Sequence, residues 1–484
     1  MKEREKLGSR LGFILVSAGC AVGMGNVWRF PYITGQYGGG AFVVLYIISI
    51  VAFCTIPMIM EFAVGRAGGH DISNSFLKLE KKGQHWHKIG YVQIIGNVLL
   101  MLFYTTICGW CLAYFYFTLT GKFTSLNADQ IGTFFNGVLA SPSTLIFWMG
   151  VSVLIGILIC SFGLQNGVER ASKFMMISLF ALLIVLIIRA VTLDGAVEGL
   201  KFYLIPDFNK LFGGGFSGFI GIFYAAIGQA FFSLSVGQGG MAIFGSYIDK
   251  KQRLTGEALI VVALDTLVAL LAGLLIFPAS FAFNVNPGKG AGLTFVTLPN
   301  VFNSMPLGRL WGSLFFLFLA MAALTTIIAV FENIYSFAMD KFGLSRKKVS
   351  VILFLLVFFG SLPTALGFNV LSHINPFGEG TVILDLLDFI VSNNILPLGA
   401  LVTLFFCTRK FGWGFDNFIK EVNTGEGIKF PAYLRLYSSY IIPLIILAIF
   451  VYEYLNRFGI EIKIFNIVKI IKEVLIVVLS FFIK

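Results

Sequence analysis

The chain has 484 residues, a mean hydropathy of +0.89, 57% hydrophobic residues and only 12% charged ones, a balance that excludes a soluble globular protein of this size. Its formal charge of +11 does not mark a nucleic-acid binder. Of the 35 Lys and Arg residues, 23 fall in alternate connections between apolar runs and six in the intervening ones, so the excess charge is membrane topology with the first set, and the N-terminus, on the cytoplasmic side.

Apolar runs of about 20 residues recur along the chain, each long enough to cross about 30 Å of hydrocarbon as a helix. The alternating ten-residue segments of a β-barrel do not occur. The expected fold is therefore an all-α polytopic membrane protein. After a cytoplasmic segment at 1–10, spans are expected near 11–36, 41–67, 88–119, 144–162 and 172–191. An outer connection, 192–215, leads to 216–246, 256–284, 308–341, 347–369 and 380–408. A cytoplasmic connection, 409–433, precedes an eleventh span at 434–455. The remainder, 456–484, reads equally as an interfacial helix or a twelfth span, because Lys469, Lys472 and Glu473 interrupt its apolar run. No signal-peptide pattern precedes Leu11, so the first run is expected to stay as a helix.

Two of these runs carry matching glycine clusters, Ala18-Gly19-Cys20-Ala21-Val22-Gly23-Met24-Gly25 and Ser233-Leu234-Ser235-Val236-Gly237-Gln238-Gly239-Gly240. Glycine weakens a helix, so each cluster marks an interruption or a close helix contact. Gly19-x-x-x-Gly23 alone fits a small-residue packing face equally well. The recurrence five helices apart points to an inverted repeat with broken helices at mid-membrane.

All six cysteines lie in apolar runs, which argues against structural disulfides. Cys108-Gly109-Trp110-Cys111 spells a redox motif without the electropositive setting that a thiolate needs. His85-x-His87 has the wrong spacing for a shared helix face, so no zinc site is expected.

Ionisable residues within spans are costly and point to function. Arg29 and Asp388 fall toward the outer ends of their helices, and Arg4 and Asp340 are cytoplasmic. Two opposite-charge pairs flanking a central site would serve as gates. Asp265, within Ala263-Leu264-Asp265-Thr266-Leu267, must be paired, protonated or bound to a cation. The other candidate oxygens are neutral: Asn26, Ser233, Thr325, Thr326 and carbonyls freed at the breaks. One carboxylate among neutral oxygens suits Na⁺ better than Ca²⁺ or Mg²⁺.

Several long motifs accompany these residues. They are Arg10-Leu11-Gly12-Phe13, Gly19 through Pro31, Asn166-Gly167-Val168-Glu169-Arg170-Ala171-Ser172-Lys173, Gly228 through Ser235, Gly292 through Pro299, and Ala322-Ala323-Leu324-Thr325-Thr326. On them the chain, from about Arg4 to Tyr454, resembles the neurotransmitter:sodium symporter family and its bacterial amino-acid branch with the leucine-transporter fold. The resemblance implies a five-plus-five inverted repeat with helices 1 and 6 unwound, and two Na⁺ sites. One would use the Ala21 carbonyl, Asn26, Ser233, Asp265 and the substrate carboxylate. The other would use the Gly19, Val22 and Ala322 carbonyls with Thr325 and Thr326. The substrate carboxylate would meet main-chain N–H groups from Gly23 to Gly25 and the Tyr104 hydroxyl. Its side chain would lie among Cys20, Met24, Leu100, Phe232, Ser235, Gln238, Thr326 and Val330. Tyr104 and Phe232 would form a lid under Arg29, Gln229 and Asp388, and Arg4 and Asp340 would close the cytoplasmic side.

Glycine at position 23, where monoamine carriers of the family place an aspartate, implies an amino acid that brings its own carboxylate. Gln238 stands where many bacterial relatives have a hydrophobic residue, so tyrosine or tryptophan fits as well as leucine. Animal members require chloride; here Tyr46 and Ser233 match its site, but Asp265 and Ala269 replace an asparagine and a serine. A fixed carboxylate then supplies the negative charge, and chloride-independent symport is implied. The expected partners are an amino acid and the bilayer of the cell inner membrane, with no nucleic acid, the chain being a monomer or weak dimer. A proton-coupled transporter and a non-transporting amino-acid sensor of the same fold are the alternatives. A passive channel lacks a reason for paired breaks, and no nucleophile–base pair suggests an enzyme.

Overall fold

The computed structural model describes residues 5–124, 126–213, 215–283 and 293–457. These residues are helical, with no strands among them and only isolated bridges. Eleven spans follow one another. They are α1 (Arg10–Ala21 with Gly25–Gln36), α2 (Gly40–Gly68), α3 (His87–Leu119), α4 (Pro142–Ser161), α5 (Leu164–Val191), α6 (Gly215–Ser233 with Gly240–Tyr247), α7 (Leu254–Ala282), α8 (Gly308–Phe342), α9 (Arg346–Leu366), α10 (Ile383–Thr408) and α11 (Ala432–Tyr452). The tail 458–484 and Arg4 lie outside the described residues, and with them the question of a twelfth span.

Both glycine clusters are interruptions. The halves of α1 meet at 54°, with Val22 extended at φ −67°, ψ 104°. In α6 the chain between Ser233 and Gly240 passes through three left-handed residues, Ser235 (φ 51°), Gly237 (φ 102°) and Gly239 (φ 75°). A helix cannot continue through such angles, and only glycine adopts them without strain. Gly237 is fixed by space as well: a Cβ there would stand 1.8 Å from the Leu396 carbonyl oxygen.

The breaks are held by a tight scaffold. Gly65 of α2 and Gly245 of α6 pack against main chain, where a Cβ would lie 1.7 Å from the Ala242 oxygen and 2.3 Å from the Phe62 oxygen. Small residues let α2 and the second half of α6 approach without intervening side chains. On the face opposite the N-terminal segment, Trp110, Tyr114, Phe295 and Phe316 form an aromatic cluster with ring centroids 5.0–6.2 Å apart.

Span limits agree with the sequence reading to within a few residues, with one exception. Helix α5 starts at Leu164 rather than 172, directly after Gly163 (φ 94°) ends α4. The polar stretch Asn166–Glu169 is wound into the span because Glu169 has partners there: it accepts from Gly8 N–H (2.7 Å), Ser9 Oγ (3.1 Å) and Lys173 Nζ (2.6 Å). The connections also contain short helices that the hydropathy pattern passes over, including Ile72–Leu79, Ala128–Ala140, Ala196–Leu204 and Phe415–Val422.

Candidate functional site

The two breaks face each other across a cavity of about 20 Å³, lined by Ala21, Gly23, Gly25, Leu100, Tyr104, Phe232, Ser235, Gln238 and Thr326, and by Val391 and Leu396 of α10. The glycines of α1 make this approach possible. A Cβ at Gly23 would lie 2.5 Å from Thr326 Oγ1 and 2.6 Å from the Tyr104 hydroxyl, and one at Gly25 would lie 2.8 Å from the Phe232 ring. The Met24 N–H, freed by the break, donates to the Tyr104 hydroxyl at 3.0 Å. At its present volume the cavity is far smaller than an amino acid, so a solute of that size needs the walls to part.

Asp265 of α7 is fully buried beside the α1 break. Its Oδ2 accepts from Ser233 Oγ (2.8 Å), and its Oδ1 from Asn26 Nδ2 (2.8 Å). Ser233 in turn accepts from the Tyr46 hydroxyl at 2.9 Å. The Asn26 side chain also straddles its own break, accepting from Gly23 N–H at 3.2 Å. A second oxygen cluster lies between α1 and α8. Thr325 Oγ1 is 3.2 Å from the Val22 oxygen and 2.9 Å from the Ala322 oxygen, and Thr326 Oγ1 is 3.4 Å from the Val22 oxygen. Gly19 packs against Thr325 at the same level. Both clusters offer hard oxygens, with one carboxylate in total, and no nitrogen or sulfur ligand set. Among the described residues no three His, Cys, Asp or Glu side chains gather as a metal site.

Gln238 points a distinct chemistry into the cavity. It is 1% exposed, and neither Nε2 nor Oε1 has a hydrogen-bond partner. Three other residues expected around the substrate side chain do not line this cavity. Met24 presents its main chain; Cys20 faces Gly240, whose Cβ would lie 3.4 Å from its sulfur; Val330 is buried one helical turn beyond Thr326.

Above the cavity, Phe232 separates it from a vestibule of about 290 Å³ lined by Arg29, Tyr32, Gln229, Phe231, Ser392 and Asn393, among others. The expected Arg29–Asp388 pair is not formed. The Arg29 guanidinium lies over the Phe232 ring, 4.3 Å from its centroid, while Asp388 accepts from Ser392 Oγ at 2.6 Å on the other wall. The vestibule keeps the two charges apart. Gln229 bridges to the α1 break, donating to the Gly25 oxygen at 2.9 Å.

The N-terminal face is closed by ion pairs. Lys6 meets Asp249 at 2.7 Å and holds that carboxyl below its ordinary range, and Arg10 reaches Glu257 at 2.8 Å. Asp340, assigned by resemblance to Arg4, lies 3.4 Å from His70 Nδ1 and accepts from Asp71 N–H at 3.3 Å. Arg346 clamps buried Glu332, at 2.7 and 3.0 Å, which also accepts from the Tyr247 hydroxyl.

The sequence reading passed over Glu332 and Glu61, although the argument applied to Asp265 covers both. Glu61 sits in Ile59-Met60-Glu61-Phe62-Ala63 and is fully buried; its Oε1 accepts from Gly237 N–H at 2.6 Å, so it caps the α6 break. Val391 and Leu396 carried no signal, being apolar residues of an apolar helix.

Eleven spans among the described residues, with the first and sixth broken around one buried polar chamber, define a secondary transporter and not an enzyme. The model of the sodium:neurotransmitter symporter family matches residues 4–133 and 137–479. The chain is 34% identical to the uncharacterized sodium-dependent transporter YhdH of Bacillus subtilis (strain 168), over 93% of this chain and 97% of that one. It is equally 34% identical to an uncharacterized sodium-dependent transporter of Haemophilus influenzae, over 93% and 98%. The crystal structure of MhsT in complex with L-phenylalanine superposes with a TM-score of 0.83 at 37% identity, covering 93% of this chain and 99% of that one. The protein belongs to the sodium:neurotransmitter symporter family, has the leucine-transporter fold, and is a sodium-dependent symporter.

Replacing Glu61 by alanine leaves the buried Gly237 N–H without an acceptor, which costs about 1–3 kcal/mol. Thermal unfolding in detergent micelles is expected to show a lower midpoint for Glu61→Ala, while Glu61→Gln, which keeps an acceptor oxygen, recovers most of the loss.

Proposed function

We propose that the protein imports a neutral aromatic or hydrophobic L-amino acid with two Na⁺ by alternating access, independently of chloride, with its N-terminus in the cytoplasm. The observation that carries this reading is the pairing of two oxygen clusters with one cavity at the breaks, so that cation and solute complete each other's coordination. The Ala21 carbonyl, Asn26, Ser233 and Asp265 would hold one ion with the substrate carboxylate, and Gly19, Val22, Ala322, Thr325 and Thr326 the other. The substrate carboxylate meets the positive end of the second half of α1 and the Tyr104 hydroxyl. Import begins from the vestibule side: Phe232 swings over the substrate, Arg29 moves toward Asp388, and the N-terminal face then releases.

The driving force is adequate. Two charges entering with a zwitterion gain about 4.6 kcal/mol per 100 mV. A tenfold Na⁺ gradient adds about 1.4 kcal/mol per ion. Together they support accumulation on the order of 10⁵-fold in the absence of leak.

The unpartnered amide of Gln238 favours a side chain that can both donate and accept, because each hydrogen bond made there relieves a buried orphan. A phenol meets that demand and a phenyl ring does not. The phenylalanine bound in MhsT supports the aromatic class. Asp265 and Ala269 in place of neutral polar side chains support chloride independence, since the carboxylate already balances the ions.

Uptake into proteoliposomes is expected to cease when external Na⁺ is replaced by choline at fixed pH and membrane potential; uptake that continues and follows a proton gradient instead would sink the sodium assignment. In a binding screen of the twenty amino acids with Na⁺ present, tyrosine should exceed phenylalanine by about tenfold in affinity, and Gln238→Leu should erase that margin. The double variant Asp265→Asn/Ala269→Ser should transport only with chloride; equal uptake in chloride and gluconate would refute charge replacement.

A further inference from the structure

Away from the central cavity, α3, α8 and α9 enclose a groove of about 300 Å³ whose lining is entirely apolar. Four of its residues are exposed: Ile95 (55%), Phe342 (64%), Ile352 (53%) and Leu356 (49%). An exposed apolar helix face is ordinary in lipid, but this one is concave and ends in cations at the N-terminal face. Lys341 Nζ lies 2.7 Å from the Tyr91 hydroxyl and 5.1 Å from its ring centroid, and the Tyr91 ring is 6.0 Å from that of groove-lining Phe337. Lys88 precedes Ile95 by seven residues and Lys348 precedes Ile352 by four, spacings that keep each lysine on the groove side of its helix.

These charges are not spent within the protein. The nearby acids are engaged elsewhere: Glu80 with His87 at 2.6 Å, Asp340 with His70, and Glu332 with Arg346. Among the described residues, Lys88, Lys341 and Lys348 have no carboxylate within 4.0 Å. An apolar slot closed at one end by three uncompensated cations complements a molecule with a hydrocarbon chain and an anionic head.

We propose that the groove binds an anionic glycerophospholipid, one acyl chain lying between α3, α8 and α9 and the phosphate resting on Lys341 with Lys88 and Lys348 beside it. A zwitterionic lipid brings its own cation to the same place and loses most of the attraction. The bound lipid ties α3 to α8, the helix that carries Thr325 and Thr326, on the side where the N-terminal segment is latched. The inference is independent of the substrate assigned above.

Native mass spectrometry of the full-length protein, delipidated and exposed to equal phosphatidylglycerol and phosphatidylcholine, tests it. Wild type is expected to retain phosphatidylglycerol preferentially, and Lys341→Ala/Lys348→Ala to lower that retention by about thirtyfold, as losing two cations near a phosphate should. Ala338→Trp, which fills the groove with the lysines intact, should abolish it, and Lys122→Ala on the opposite face should change nothing. Equal retention of both lipids by wild type, or unchanged retention in the lysine variant, whose substitutions are exposed and leave the fold intact, overturns the proposal. So does full displacement of phosphatidylglycerol by soluble glycerol 3-phosphate, which would reduce the site to a phosphate contact.

Discussion

Everything in this molecule depends on the main chain at two places where it is not a helix. In hydrocarbon an unpaired N–H or C=O costs several kcal/mol, so a break is tolerated only where protein or bound solute supplies partners. Here the partners are specific. Glu61 takes the Gly237 N–H, Tyr104 takes the Met24 N–H, Asn26 takes the Gly23 N–H, and Thr325 lies against the Val22 oxygen. The oxygens and N–H groups that remain around these contacts line the cavity between the two breaks.

That constraint also explains the division of labour among the helices. The breaks in α1 and α6 face the cavity, while α2, α3, α7 and α8 supply polar side chains that hold them. Glycines at the contacts let backbone approach backbone: Gly65 against Ala242, Gly399 against Gly237. A contact of this kind has no slack. Helices packed this closely leave no room for a side chain between them. Arg29 lies over Phe232 and Asp388 is turned to Ser392, so the charges on the vestibule side are parted while the N-terminal side is latched.

The legibility of individual residues follows their chemistry. Asp265 announces itself because a charge in an apolar run has no inexpensive explanation. Glu61 and Glu332 carry the same signal, each a buried carboxylate in an apolar run. Val391 and Leu396 could not have been found: they differ in nothing from the lipid-facing residues of α10, and only the packing of that helix against the α6 break turns them inward. Gln238 was legible as an unusual polar residue; that both its polar atoms lack partners was not.

By itself the sequence determined the solvent, the number and order of the described spans, the places where two of them break, and the oxygen-rich character of the residues around those breaks. These are consequences of hydropathy, glycine content and charge placement, all local along the chain. Only the tertiary structure decided which carboxylate caps which break, that Arg29 and Asp388 stand apart, that Asn166–Glu169 is wound into α5, and that an apolar groove ends beside Lys341. Those are matters of distance between residues far apart in sequence, fixed by helix packing, and no local pattern encodes them.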